Sequence, residues 1–120
     1  MSTILLVEDD EGVASALTNQ FAFAGYEVVV ANSTKSALTI LDLERHIDLI
    51  LADIIMLPGE PNGFALGGMA RMQRPHIKLI FMTGYDDLGI DDRLLPGALF
   101  HKPVRFQSLL AEVGAQLSTA

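Results

Sequence analysis

The sequence has no cysteine and few positive charges. Without cysteine the chain can form neither a disulfide framework nor a thiolate metal site, and this fits a reducing compartment, so we expect a cytoplasmic location. Eight lysines and arginines stand against fifteen acidic residues, which gives a formal net charge of -7 at pH 7. Because no basic stripe can displace counterions from a phosphate backbone, we expect no direct binding to nucleic acid.

Long hydrophobic runs and phosphate-binding loops are missing as well. No apolar run approaches the roughly 18 residues that a membrane span needs, and no basic segment precedes the first run, so we expect neither export nor a membrane anchor. The absence of a Walker loop and of a G-x-G-x-x-G run argues against a nucleotide-binding fold. Half of the residues are apolar and 19% are charged, which predicts one folded domain over residues 1–120.

Five short apolar runs have the length of buried strands. They cover residues 4–7, 28–31, 49–52, 79–82 and 98–100. Helical periodicity lies between or after them, in a first helix that ends before Gly25, a second that Asn32 or Ser33 caps, a weaker one over 64–72 and a last one over 106–117. Strands that alternate with helices predict an α/β fold with a parallel sheet covered on both faces. The segment 86–95 should hold only a short or irregular helix, since glycines and Pro96 flank it.

Polar residues follow four of the five runs. They are Glu8, Asp9 and Asp10 after the first, Asp53 after the third, Thr83 after the fourth, and His101 with Lys102 after the last. Because ligands of open parallel sheets bind beyond the carboxyl ends of the strands, we expect these side chains to converge at one edge.

Crowded carboxylates repel one another unless a hard divalent cation lies among them, and Mg²⁺ prefers oxygen ligands. A carboxylate beside Mg²⁺, a lysine ammonium and a hydroxyl are the groups that phosphoryl transfer requires: a nucleophile, charge neutralisation and donors to the phosphoryl oxygens. No cluster of histidines suggests zinc, and His46, His76 and His101 are expected at the surface.

These motifs together resemble the response-regulator receivers of bacterial two-component signalling, over essentially the whole chain. The matching fragments are Val7-Glu8-Asp9-Asp10, Asp53 after an apolar strand, Met82-Thr83-Gly84 and Lys102-Pro103. The resemblance implies a three-layer α/β/α sandwich with five parallel strands in the order 2-1-3-4-5. It also implies a stand-alone phosphorylation switch that is not an enzyme acting on an external substrate. Its partners would be a histidine kinase or phosphotransfer protein and an unknown downstream protein, and it would be a monomer or a phosphorylation-dependent dimer.

The resemblance also implies a role for each site residue. Asp53 would accept the phosphoryl group, and Mg²⁺ would be held by Asp9 directly, by Glu8 through water, by Asp53 and by the backbone carbonyl of Ile55. Thr83 would move to the phosphoryl group and Lys102 would pair with it, while the bond between Lys102 and Pro103 would be cis. The side chains of Ile55 and Tyr85 would flank the water that hydrolyses the aspartyl phosphate, and would make it long-lived.

The sequence departs from the usual receiver pattern at three places. Pro58 and Gly63 lie five and ten residues beyond Asp53, instead of four and eight, so the loop is about two residues longer. Leu99 stands where receivers carry an aromatic switch residue, and Phe100 should face the other side of the sheet. Lys102 follows Thr83 by only nineteen residues, a few fewer than is common, so the segment between them that normally serves as an output surface is expected to be reduced. Output would then be read from a surface built by residues 86–95 and the last helix.

Structural explanations compete with functional ones at several positions. Asp10 and Glu11 are expected to begin the first helix rather than to bind metal, because acidic side chains are favourable at a helix N-terminus. Asn62-Gly63, with the prolines before it, is expected to form a turn. Met69 and Met72 are expected to fill gaps in the core or on a partner surface.

Three other functions remain open. A Mg²⁺-dependent aspartate-nucleophile phosphatase would need an acid two residues after the nucleophile, where this chain has Ile55. A degenerate receiver that docks without phosphorylation would lack the acceptor, the acids or the lysine, whereas this chain has all of them. The chain could also be a receiver fragment of a longer hybrid kinase.

Overall fold

Five parallel strands and four helices form a three-layer α/β/α sandwich in this computed structural model, which describes residues 1–43, 46–55, 62–84 and 95–118. In chain order the elements are β1 (Thr3–Val7), α1 (Glu11–Phe23), β2 (Glu27–Ala31), α2 (Thr34–Asp42), β3 (Leu49–Asp53), α3 (Gly63–Gln73), β4 (Lys78–Thr83), β5 (Ala98–His101) and α4 (Phe106–Leu117). The strand order is β2-β1-β3-β4-β5, so the predicted fold is confirmed.

The alternation of side chains along the strands divides the core into two layers. Leu5 and Ile50 face one side of the sheet, where α2 and α3 pack, whereas Leu6 and Leu51 face the side of α1 and α4. All five residues of β1 and of β3 are buried. The interior positions of strands buried on both faces are apolar, which is why these strands appear in the sequence as continuous apolar runs with the polar Thr3 and Asp53 at their ends.

The helix boundaries follow from local capping. Asp10 is the N-cap of α1 and accepts a hydrogen bond from the Val13 N–H at 3.0 Å, and the Ser33 side chain caps α2. Gly25 follows α1 with φ of +100°, a left-handed conformation that glycine adopts without steric cost. None of the described helices is long and apolar enough to cross a membrane.

The structure corrects two expectations about the segment around α3. Asn62 and Gly63 do not form a turn: Asn62 is the N-cap of α3, accepting from the Ala65 N–H at 2.8 Å, and Gly63 is the first helical residue. Met72 is 86% exposed, so it does not fill a gap in the core. Pro58 and nearly all of the 86–95 segment lie outside the described residues.

Two adjacent glycines of α3 have opposite environments. A Cβ atom added to Gly67 would lie 2.7 Å from Cζ and 3.1 Å from Cε1 of Phe81, whose ring is fully buried. A Cβ atom added to Gly68 would meet no atom within 4 Å. Gly67 therefore lets α3 approach β4 closely, whereas Gly68 only weakens the helix.

We predict that Gly67→Ala destabilises the protein and Gly68→Ala stabilises it. Both changes gain helix propensity, worth about 1 kcal/mol, but only the first forces a methyl group against the Phe81 ring, at a cost of about 1 to 3 kcal/mol. Urea denaturation would measure the two free energies of unfolding. Phe81→Leu should reduce the penalty of Gly67→Ala, and an equal effect of the two alanines would contradict this account of the packing.

Candidate functional site

The predicted polar residues converge at the carboxyl edge of the sheet. Val7 pairs with Ala52, so the residues that follow them, Glu8 and Asp53, lie side by side where β1 and β3 end. Thr83 pairs with His101, the last residue of β5, and Lys102 comes next in the chain. The parallel register thus brings together residues that are up to 94 positions apart in sequence.

The Lys102 ammonium group joins two carboxylates at the centre of this edge. Its Nζ lies 2.6 Å from Oε1 of Glu8 and 2.8 Å from Oδ2 of Asp53. The second oxygen of Glu8 accepts from the Asp10 N–H at 3.3 Å, and that of Asp53 accepts from the Ile55 N–H at 3.1 Å. Both carboxylates are therefore held in place through both of their oxygens.

Burial shapes the charges of this cluster. The Glu8 side chain is fully buried, and the loss of hydration raises its pKa, although hydrogen bonds from Lys102 and from the Asp10 N–H oppose the rise. Burial lowers the pKa of Lys102, but its bonds to Asp53 and Glu8 outweigh that effect, so the pKa is raised overall. Lys102 therefore stays cationic at neutral pH and supplies a fixed positive charge beside Asp53.

A third acid completes a possible cation site. One carboxylate oxygen from each of Glu8, Asp9 and Asp53 lies within 4.8 Å of the others. Asp9 is exposed, whereas Glu8 and Asp53 are buried, so the cluster opens toward solvent on the Asp9 side. Three oxygen donors with a face open to water match the preferences of Mg²⁺, which keeps several water ligands.

Asp10 has a different role from the acids before it. Its carboxylate caps α1 by accepting from the Val13 N–H at 3.0 Å. The structural interpretation of Asp10 as part of the start of the helix is therefore confirmed.

Thr83, at the end of β4, and the pair Lys102-Pro103, after β5, form the side of the acidic edge opposite to β1 and Glu8. Thr83 is fully buried at the end of β4, and its backbone carbonyl accepts from the Lys102 N–H at 2.7 Å. The bond between Lys102 and Pro103 is cis. Leu99 packs with the α2 and α3 core and Phe100 with the α1 and α4 core, so these neighbours do face opposite sides of the sheet.

Ile55 lies at the mouth of the site. Its N–H bonds to Asp53, and 40% of the residue is exposed. Tyr85, which was expected to flank the same position, lies outside the described residues.

One further residue was missed as part of the site. A Cβ atom added to Gly63 would overlap the backbone carbonyl of Asp53, with the carbonyl carbon 2.8 Å away, and the Gly63 N–H bonds to the Ile54 carbonyl at 2.8 Å. The first turn of α3 therefore rests directly on the backbone of Asp53 and Ile54. The sequence indicates this position only by a glycine ten residues after Asp53, and a glycine in such a place is equally typical of a turn.

Comparison with known proteins agrees with this geometry. The model of the family described as response regulator receiver domain matches residues 4–113. The response regulator protein FleR of Pseudomonas aeruginosa is 37% identical over 82 residues, which are 68% of this chain and 17% of FleR. The sensor kinase CckA of Brucella abortus is 32% identical over 120 residues, 97% of this chain and 12% of CckA. The chain thus spans less than a fifth of the length of these two relatives.

A solved structure has the same fold. The response regulator protein TrrA of Thermotoga maritima, in complex with Mg(2+)-BeF, superposes with a TM-score of 0.81 at 27% identity, covering 97% of this chain and 99% of TrrA. The family match over most of the chain, the shared fold and the acidic edge with its lysine lead to one conclusion. The chain belongs to the family of response regulator receiver domains of two-component systems.

Proposed function

We propose that Asp53 accepts a phosphoryl group from the phosphohistidine of a histidine kinase or phosphotransfer protein, and that the phosphorylated domain signals to a downstream protein. The observation that carries the proposal is the pairing of Asp53 with Lys102 at 2.8 Å beside the acids Glu8 and Asp9. The closeness of a carboxylate, a cation and a possible metal site at one edge of the sheet supports the proposal, because phosphoryl transfer requires these groups together.

The step itself is a displacement at phosphorus. A carboxylate oxygen of Asp53 forms the new bond to phosphorus, and the bond between phosphorus and the donor histidine nitrogen breaks. The electron pair remains on the imidazole, which then takes up a proton. Lys102 neutralises charge on the phosphoryl oxygens, and Thr83, at the end of the adjacent strand, donates its hydroxyl hydrogen to one of them.

The residues present fit a bound Mg²⁺. Asp9, Asp53 and Glu8 would hold it, the last through water, together with the Ile55 carbonyl. The ion supplies compensation for the negative charge of the phosphoryl oxygens. TrrA, with the same fold, was solved with Mg(2+)-BeF, which supports a magnesium requirement for this chain.

A phosphatase acting on external esters is the weaker proposal. Such an enzyme needs a general acid two residues after the nucleophile, and Ile55 cannot donate a proton.

The greater length of FleR and CckA supports another arrangement of the same function, in which this receiver is one segment of a longer regulator or hybrid kinase. Whether the receiver stands alone or is part of a longer protein, Asp53 would be the acceptor and the protein would be cytoplasmic.

We predict that acetyl phosphate with Mg²⁺ adds one phosphoryl group to the protein and that Asp53→Asn abolishes the addition. Asparagine preserves the shape of the side chain but lacks the carboxylate nucleophile. Intact-mass measurement would decide the matter, with circular dichroism to check the fold of the variant. An unmodified wild type beside a receiver that is phosphorylated under the same conditions would remove the basis of the proposal, as would an equally modified Asp53→Asn.

We predict that Asp9→Asn weakens Mg²⁺ binding by about tenfold or more, whereas Asp10→Asn leaves it nearly unchanged. Removing a directly bound carboxylate costs more than about 1.4 kcal/mol, whereas Asp10 is occupied as a helix cap that asparagine can replace. Titration with MgCl₂ followed by NMR would give both affinities. Equal losses in the two variants would mean that the metal ligands are wrongly assigned.

We predict that the aspartyl phosphate decays about tenfold faster in Ile55→Asn than in the wild type. An amide at this position can orient the attacking water, which an aliphatic side chain cannot, and tenfold corresponds to about 1.4 kcal/mol of transition-state stabilisation. Ile55→Val is the matched control, because it stays aliphatic. Decay of purified phosphoprotein would be followed by mass, and identical rates in all three proteins would exclude a role for this side chain. Tyr85 would act together with Ile55, and its role stays a prediction from the resemblance.

A further inference from the structure

A second polar cleft lies at the end of the sheet opposite the acidic edge. It has a volume of about 430 Å³ and is formed where α3 ends, β4 begins and α4 ends. Its polar side chains come from Asp48, Arg71, His76 and Lys78, and Pro75 and Leu117 contribute apolar surface. The proposed function uses none of these residues.

The sequence segment that supplies most of the cleft is positively charged although the chain is acidic. The sequence between residues 61 and 85 contains no aspartate or glutamate but three of the eight lysines and arginines, Arg71, Arg74 and Lys78. All fifteen acidic residues lie elsewhere, with only five lysines and arginines among them. An anion approaching this cleft therefore meets a local charge opposite to that of the whole protein.

Arg71 has hydrogen-bonding capacity that the protein does not use. Its Nε is buried and has no hydrogen-bond partner in the described part of the chain, and its terminal Nη2 donates to the Pro96 carbonyl only at 3.4 Å. So long a hydrogen bond is weak, and a phosphate oxygen supplied by a ligand would be a better acceptor for this end of the guanidinium group. Lys78 also makes no side-chain hydrogen bond or ion pair to the part of the chain that the structure describes.

The acid in the cleft is already engaged. Asp48 accepts from the Thr3 N–H at 2.7 Å through one oxygen and lies 2.9 Å from Nε2 of His46 through the other. Its carboxylate therefore ties the N-terminal end of β1 to β3, and it does not pair with Arg71 or Lys78. The cations of the cleft stay available to an anion from solution.

We propose that this cleft binds an organic phosphate of the size of a nucleoside monophosphate. Arginine and lysine together suit a phosphate group, because the guanidinium offers paired donors and the ammonium a point charge. The volume lies in the range of small-molecule sites, about 300 to 1,000 Å³, and exceeds what a phosphate ion alone would fill. The apolar surfaces of Pro75 and Leu117 would contact the remainder of the ligand.

The test is an NMR titration of Asp53→Asn without Mg²⁺, so that neither phosphorylation nor metal binding at the acidic edge contributes. The ligands are AMP, inorganic phosphate and adenosine, each at constant ionic strength. AMP should shift backbone signals of residues 71–78 and 117 more strongly, and at lower concentration, than phosphate, and adenosine alone should bind weakest. Arg71→Gln and Lys78→Gln should each weaken AMP binding by about tenfold, because each removes a charge-assisted bond to phosphate.

Arg105→Gln is the matched control, since Arg105 is an exposed arginine that does not line the cleft, and it should leave AMP binding unchanged. Lys78→Gln removes no side-chain hydrogen bond or ion pair within the described structure and keeps the test valid if Arg71→Gln fails to fold. The proposal is overturned if AMP causes no shifts in the millimolar range, or if Arg105→Gln weakens binding as much as Lys78→Gln does. Inorganic phosphate binding as tightly as AMP would overturn the assignment to an organic ligand.

Discussion

The functional edge of this domain depends on the ammonium group of Lys102. Two buried carboxylates, those of Glu8 and Asp53, lie side by side in a site shielded from water, and this ammonium group supplies the positive charge that offsets their repulsion. Lys102 follows β5, at one edge of the sheet, whereas Glu8 and Asp53 lie at the ends of the inner strands β1 and β3. Lysine suits the position because its long flexible side chain can carry one charge across to both carboxylates. Arg105, three positions later, is exposed and takes no part in this network.

The rest of the fold serves to hold that edge rigid. Glu8 directly follows β1 and Asp53 is the last residue of β3, and both strands are buried along their whole length, so neither acid can shift without disturbing both core layers. Gly63 and Gly67 bring α3 against the backbone of Asp53 and the ring of Phe81, so β3, which ends in Asp53, and the neighbouring β4 are both supported from one side. Small residues in α3 are thus a requirement of close packing, although they weaken the isolated helix.

The sequence predicts the strands and the site better than it predicts close contacts. The interior positions of buried parallel strands are apolar, and the carboxyl ends of these strands share an edge. The positions of Glu8, Asp53, Thr83 and Lys102 at that edge therefore follow from pattern and topology alone. Each strand extends beyond its apolar run through polar residues at its ends, namely Thr3, Glu27, Asp53, Lys78, Thr83 and His101, because such residues still join the ladder of hydrogen bonds.

Local sequence could not decide the role of Asn62-Gly63. Asparagine and glycine favour both turns and helix starts, and the choice depends on whether the following residues can pack as a helix. The value of Gly67 likewise depends on Phe81, fourteen residues away and on another element. Contacts of this kind form only after the helix packs against the sheet, so no periodicity in the sequence predicts them.

The hydrogen bond from the Gly63 N–H to the Ile54 carbonyl has a consequence for how such chains diversify. It closes a loop whose two ends are fixed by the core, so the number of residues between them is limited mainly by chain entropy. Lengthening a loop of this size by two residues costs only about 0.3 kcal/mol of closure free energy. Insertions are therefore cheap at this point beside Asp53, and the chain there can change in length while the chemistry of the acidic edge stays the same.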